Sequence, residues 1–209
     1  MDRALRKRLV NEAVELQQRN RLRPFADIPE FILGEAITDM TLRKRAWLEL
    51  AQNPFVCELP RMPDEIGMAA AAIKLLWICS RDYAPCTSRA ARRAMRRFEK
   101  RLLKFRPETL IEAARKFAAD TFMEAGGFED AETPARREIP RCCTAAYYVA
   151  LLAGEFGWSE AEILDMPMRR IFQYANQIYM RRDPEYIPPL LAVHIQTKML
   201  NRKAENGQG

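Results

Sequence analysis

Residues 66–79, IGMAAAAIKLLWIC, are the longest apolar stretch of the chain and decide how it folds. The stretch is too short to cross a bilayer, and Lys74 lies inside it, so it predicts a buried helix. Pro63 and Asp64 come just before it, and proline and acidic residues both favour the first turn of a helix. We therefore expect a central core helix that ends near Arg81.

The composition predicts an all-α protein. Of the 209 residues, 48% are apolar and 30% are charged, which is enough apolar material to bury a core. Only eight residues are glycine, and good helix formers are abundant. We expect seven to nine helices, arranged as a bundle over 1–125, a loop or linker over 126–138, a smaller helical part over 139–203 and a disordered tail over 204–209.

Local patterns place the other helices. Leu5, Leu9 and Leu16 predict an amphipathic helix over 2–20. Asp27 is expected to cap a short helix through Ala36, and Thr41 to cap the next helix. The remaining predicted segments are 89–106, 107–125, a helix from near Pro140 to Phe156 that Gly157 ends, a helix that begins at Pro167, and a final helix to about Lys203. Ser159 and Glu162, three residues apart, form a capping-box pattern after Gly157.

The chain carries five cysteines, an odd number, and two of them, Cys142 and Cys143, are adjacent. No signal peptide is evident, because the first residues are charged and no apolar segment follows them. A disulfide framework is therefore not expected, and a reducing cytoplasm is the expected compartment.

The segment 89–106, RAARRAMRRFEKRLLKFR, is the most basic part of the chain and carries a net charge of +8. Residues 1–23 carry +4, and since the whole chain carries +6, the remaining residues together carry −6. Spacing of i, i+3, i+4 and i+7 predicts a helix with a purely cationic face and an apolar face opposite that includes Phe98 and Phe105. The cationic face consists of Arg89, Arg92, Arg93, Arg96, Arg97, Lys100, Arg101 and Lys104.

Three interpretations of the cationic face are open. It is a solvated helix surface, a contact surface for an acidic protein, or a site for nucleic acid or anionic lipid. Like charges at i, i+4 oppose helix formation, which favours an acidic neighbour from this chain or a partner. No aromatic side chain is predicted on this face, so base readout by stacking or hydrogen bonding is not indicated.

The sequence lacks the patterns that indicate catalysis or metal binding. His194 is the only histidine and lies in an apolar segment, LLAVHIQTKML, where a structural role is expected. The cysteines are not spaced as a zinc site requires. No GxGxxG, P-loop or GxSxG pattern occurs. We therefore expect a binding protein with no catalytic residue, no metal and no cofactor.

Two blocks of sequence resemble a known family. The first is LRPFADIPEFILGEAI at 22–37, which leads through Asn53-Pro54-Phe55 to the apolar helix. The second is AAYYVALLAGEFGWSEAEILDMPMRRIFQYANQI at 145–178. Together they resemble the tail assembly chaperones, helical proteins encoded among phage tail genes. The structural signature of the second block is a tryptophan turn made of Gly157, Trp158, Ser159, Ile163, Met166 and Pro167.

The resemblance implies a small helical protein in the cytoplasm of a bacterial host. It would bind a tape-measure or tail-tube protein before the tail is assembled. A protein that holds varied apolar clients benefits from flexible methionines, and Met168 and Met180 are candidate contacts beside their ordinary role in filling the core. The alternatives are a nucleic-acid-binding or packaging factor that acts through the cationic face, or a structural component of the virion.

Overall fold

A computed structural model describes residues 22, 25–26, 29–57, 63–85, 88–123, 125, 143–183 and 185–188. Within these ranges the chain is mostly helical, with seven helices and one two-stranded sheet, which confirms the expected all-α class. The chain divides into two compact units, Met1–Thr121 and Phe122–Gly209. Outside the described residues lie the predicted helix 2–20, the loop 126–138, the final helix with His194, and the tail 204–209.

The described elements are named here in chain order, unit by unit. The first unit begins with a hairpin, β1 (Glu30–Ile32) and β2 (Glu35–Ile37). It continues with α1 (Leu42–Leu50), α2 (Glu65–Cys79), α3 (Arg89–Leu102) and α4 (Pro107–Phe122). The described part of the second unit contains α5 (Thr144–Phe156), α6 (Glu160–Leu164) and α7 (Met168–Arg182).

Helix α2 is the core helix of the first unit, as its apolar sequence predicts. The Asp64 side chain caps it by accepting a hydrogen bond from Gly67 N at 2.9 Å. Every residue from Leu75 to Ser80 is buried, so the C-terminal part of the helix has no solvent-exposed side. Helices α1 and α3 both pack against it.

The hairpin corrects the predicted helix over Asp27–Ala36. Glu30 pairs with Ile37 and Ile32 pairs with Glu35, which leaves Leu33 and Gly34 as a two-residue turn. Both turn residues have positive φ, 52° and 82°, and such a turn matches the twist of a hairpin. A glycine inside a helix is unfavourable, whereas here it adopts a conformation that suits it.

Backbone hydrogen bonds fix the hairpin to the C-terminal end of α2. Thr38 N donates to Cys79 O at 2.7 Å, and Arg81 N donates to Ala36 O at 2.9 Å. Ile37, which is fully buried, forms a bridge with Ser80. The last carbonyl of α2, that of Cys79, therefore finds its partner in a segment about forty residues earlier, which local sequence patterns do not reveal.

Helix α3 begins where the sequence predicts and ends earlier. The Ser88 side chain caps it by accepting from Ala91 N at 3.1 Å. It ends at Leu102, because Pro107 has no N–H to donate to the carbonyl of Leu103 and its ring would clash with that carbonyl in a continued helix. The prediction that Phe105 packs into the core was wrong, since Phe105 lies beyond the helix and is exposed.

In the second unit, the local signals correctly predict how α5 ends and α6 begins. Gly157 ends α5 with φ of 70°. Ser159 and Glu162 form a capping box at the start of α6, and Pro167 stands just before α7. Because these signals act within a few residues, the sequence was sufficient to place them.

Candidate partner-binding surface

All eight side chains of the cationic face are exposed. Seven lie on α3, and Lys104 follows directly after the helix. On the opposite side of α3, Ala91, Phe98 and Leu102 are buried, which holds the helix against the body of its unit. Phe98 packs on Trp77 of α2 with ring centroids 5.3 Å apart. The predicted segregation of charge is thus present in three dimensions.

Arg101 is a cation of this face that forms an ion pair with another element of the fold. Its Nε donates to Glu35 Oε1 at 2.5 Å and its Nη2 donates to Glu35 Oε2 at 2.8 Å. The guanidinium also lies 5.7 Å from the ring centroid of Phe98. The hydrogen bond with Glu35 raises the pKa of Arg101, so this group stays charged. The pair joins α3 to the hairpin.

The other cations of the face have no such partner within the described ranges. No ion pair or side-chain hydrogen bond to a carboxylate is found for them there, although Glu99 lies on the same helix. This set consists of Arg89, Arg92, Arg93, Arg96, Arg97, Lys100 and Lys104. Repulsion between the like charges favours an acidic neighbour. Among the described residues, one of the eight cations, Arg101, has such a neighbour.

Four arginines of the face enclose an open depression, which we call the arginine groove. Its volume is about 210 Å³, and its lining residues are Arg89, Arg92, Arg93 and Arg96. These positions follow one another at i, i+3, i+4 and i+7, so they occupy two successive turns of the helix. Guanidinium groups in this arrangement can each offer two parallel N–H donors to a carboxylate or phosphate.

No aromatic side chain of α3 takes part in the cationic face. Phe98, the one aromatic residue of the helix, is 1% exposed and belongs to the core. A surface that binds single-stranded nucleic acid usually combines cations with aromatic rings for base stacking. The exposed side of α3 therefore offers a ligand positive charge and planar hydrogen-bond donors, but no aromatic ring on which a base could stack.

The tryptophan turn has a structural role in the second unit. Trp158 stacks on Phe156 with ring centroids 4.5 Å apart and meets Tyr174 of α7 edge-on at 5.0 Å. Ser159 and Glu162 exchange hydrogen bonds, and that contact with Ser159 lowers the pKa of Glu162. Ile163 is fully buried. The signature thus fastens the end of α5 to α7.

The two candidate methionines are not brought together on one surface. Met168 is fully buried, so it cannot touch a partner while the unit is folded, and we withdraw it from the contact set. Met180 is half-buried and stays a candidate. Twelve residues separate them on α7, which turns the second about 120° away from the first.

The described residues contain no group of three or more histidine, cysteine, aspartate or glutamate side chains placed to hold a metal ion. Among the helices in these ranges, none has the length and apolar character needed to span a membrane. Cys79 is fully buried, and burial raises the pKa of its thiol to about 12.

Glu35 is the residue that the sequence interpretation missed. It was assigned to a helix and given no function, whereas the structure places its carboxylate on the cationic face. The Leu33-Gly34 pair was the available signal, because glycine at the second position of a two-residue turn is typical of a hairpin.

No protein-family model, curated protein or solved structure matches the chain. The resemblance to the tail assembly chaperones therefore stays a prediction. What the protein does must be inferred from the cationic face and from the residues that hold it in place.

Proposed function

We propose that this chain is a non-enzymatic binding protein that holds an acidic partner protein on the cationic face of α3. The observation that supports this function is that seven of the eight exposed cations have no carboxylate partner within the described residues. In keeping with the resemblance, the proposed partner is the tape-measure or tail-tube protein of a phage, held before assembly as a tail assembly chaperone would hold it.

A rigid row of like charges suits this role physically. Fields from clustered charges accelerate encounters with an oppositely charged surface and disfavour wrong partners. Arginine, which dominates the face, loses little freedom per hydrogen bond because its guanidinium is planar. Phe98 and Leu102 anchor the helix, so the cations are presented on a folded element and not on a loop.

Co-expression of the tagged chain with candidate tail proteins tests the function. We expect an acidic tail protein to copurify with the wild-type chain and to be lost when three charges of the face are reversed. The matched control reverses three exposed charges elsewhere in the first unit and should retain the partner. The face variant is R93E/R97E/K100E, and the control is K74E/R115E/K116E. Equal loss in both would contradict a role for the face.

The same exposed cations support nucleic acid binding as the alternative function. A packaging factor would bind duplex DNA at low salt, and its log affinity would fall linearly with log salt. We expect no such binding below micromolar concentrations. A structural virion component would remain in purified particles, whereas a chaperone would be present only in the lysate.

A further inference from the structure

The cationic face has a C-terminal half whose charges are stabilised by the fold and an N-terminal half whose charges are not. Lys100 and Arg101 lie in the last turn of α3, where positive charge is favoured by the helix dipole. Arg101 is also paired with Glu35. The C-terminal half therefore contributes to the stability of the helix and its attachment to the hairpin.

The arginine groove, at the N-terminal half, makes no comparable contribution to the stability of the helix. The first turn of α3 contains Arg89 and Arg92 and no acidic residue, so two cations lie at the positive end of the helix dipole, where positive charge is unfavourable. The four arginines also form four like-charge pairs at i, i+3 or i, i+4, each unfavourable by roughly 0.2–0.5 kcal/mol. Within the described ranges no carboxylate offsets this.

We infer that the arginine groove is the recognition site for an acidic helical segment of the partner protein. The inference deepens the proposed function and rests on it. The four arginines span about 10 Å along α3, so a helix with carboxylates at i, i+3, i+4 and i+7 presents charges over the same length. The groove has a volume of about 210 Å³ and is open to solvent, so the surface of a helix can approach its arginines.

A protein carboxylate fits the observations better than nucleic acid does. The occupied cation of the same face, Arg101, takes a glutamate through Nε and Nη2, which shows how an arginine of this face holds a carboxylate. The arginine groove is lined by arginines alone, without an aromatic ring on which a base could stack, and Phe98 of the same helix is buried. Binding to DNA is therefore an outcome that the experiment must distinguish.

Fluorescence anisotropy at low salt tests the inference with the full chain and three probes. The probes are a labelled alanine-based helix with glutamates at i, i+3, i+4 and i+7, the same peptide with glutamine, and a DNA duplex. The groove variant removes four charges, and a matched control removes four exposed charges elsewhere in the first unit. These variants are R89Q/R92Q/R93Q/R96Q and K74Q/R81Q/R115Q/K116Q.

We expect the glutamate peptide to bind at least tenfold more weakly to the groove variant and less than threefold more weakly to the control. Equal weakening in both variants, no binding by the wild type, or tighter binding of DNA than of peptide would overturn the inference. Should the groove variant lose helicity by circular dichroism, the milder R89Q/R93Q is expected to weaken binding at least threefold.

The outcomes separate this inference from the proposed function. Copurification of a tail protein without peptide binding would contradict only the groove. Peptide binding without copurification of any tail protein would contradict the proposed client and leave the groove in place.

Discussion

Arg101 shows how one side chain can serve both fold and surface. Its guanidinium lies near the buried ring of Phe98, while two of its N–H groups donate to the Glu35 carboxylate. The carboxylate is more protected than the cation, with 13% of the Glu35 side chain exposed against 46% for Arg101. The pair therefore belongs to the structure of the first unit, while nearly half of the Arg101 side chain stays exposed.

A double-mutant cycle should detect this pair as a modest stabilising interaction. Exposed ion pairs are worth little, but bidentate geometry places this one near the upper end of their range. We expect a coupling free energy of about 0.5–1 kcal/mol between R101A and E35A, measured by urea unfolding at low salt. A coupling of zero would show that the hairpin does not need α3 to hold it.

Cys79 should be unreactive in the folded protein, because its thiol is fully buried and its pKa is raised to about 12. The thiolate is the reactive form, and burial disfavours it. We expect iodoacetamide to modify the exposed Cys143 and to spare Cys79, as read by peptide mass spectrometry. Both should react in denaturant, and native labelling of Cys79 would contradict its burial.

At the scale of elements, the features that the sequence predicts correctly are those determined by neighbouring residues. Thr41 caps α1 by accepting from Lys44 N, and Ser159 caps α6 through its reciprocal bonds with Glu162. The hairpin was missed although the Leu33-Gly34 turn is a local signal, and its docking on the backbone around Cys79 is a long-range contact that local patterns do not reveal. The pattern of residues 27–36 alone is compatible with a helix.

Two glycines three residues apart offer a matched test of how α5 ends. Gly157 has φ of 70° and Gly154 lies inside the helix, and a Cβ at either position would meet nothing within 4 Å. Only the backbone conformation therefore distinguishes the two substitutions. We expect Gly157→Ala to destabilise the second unit by about 1–2 kcal/mol and Gly154→Ala to stabilise it by about 0.5–1 kcal/mol.

Thermal unfolding followed by circular dichroism measures both glycine variants. Opposite shifts of the midpoint are expected. A stabilising Gly157→Ala would show that the turn before Trp158 does not require left-handed geometry.

At the scale of the whole molecule, charge is the property that the sequence predicts best. The +8 of residues 89–106 and the helical spacing of its cations are sufficient to place the seven cations of α3 on one exposed face, and Lys104, which follows the helix, is exposed as well. The sequence could not show that Glu35 neutralises Arg101, because that contact depends on the hairpin and on how it docks on α2. Nor could it separate the arginine groove from the C-terminal half of the face.

The number of methionines predicts a binding surface less well than the distribution of charge does. The sequence contains ten methionines, and Met40, Met68 and Met168 are buried in the structure. Flexible apolar side chains fill a core as readily as they line a binding surface, so their number does not distinguish the two roles. The exposed cations have no comparable place in a core, and they are the stronger basis for a binding function.

Zero-length crosslinking tests most directly whether an acidic protein occupies the cationic face. A carbodiimide joins a lysine amine only to a carboxylate in contact with it, and Lys100 and Lys104 lie on this face, whereas the exposed Lys74 and Lys116 lie elsewhere in the first unit. Applied to the complex copurified from cells, it should link Lys100 or Lys104 to aspartate or glutamate of the partner. Crosslinks to the partner from Lys74 or Lys116 alone would contradict the account.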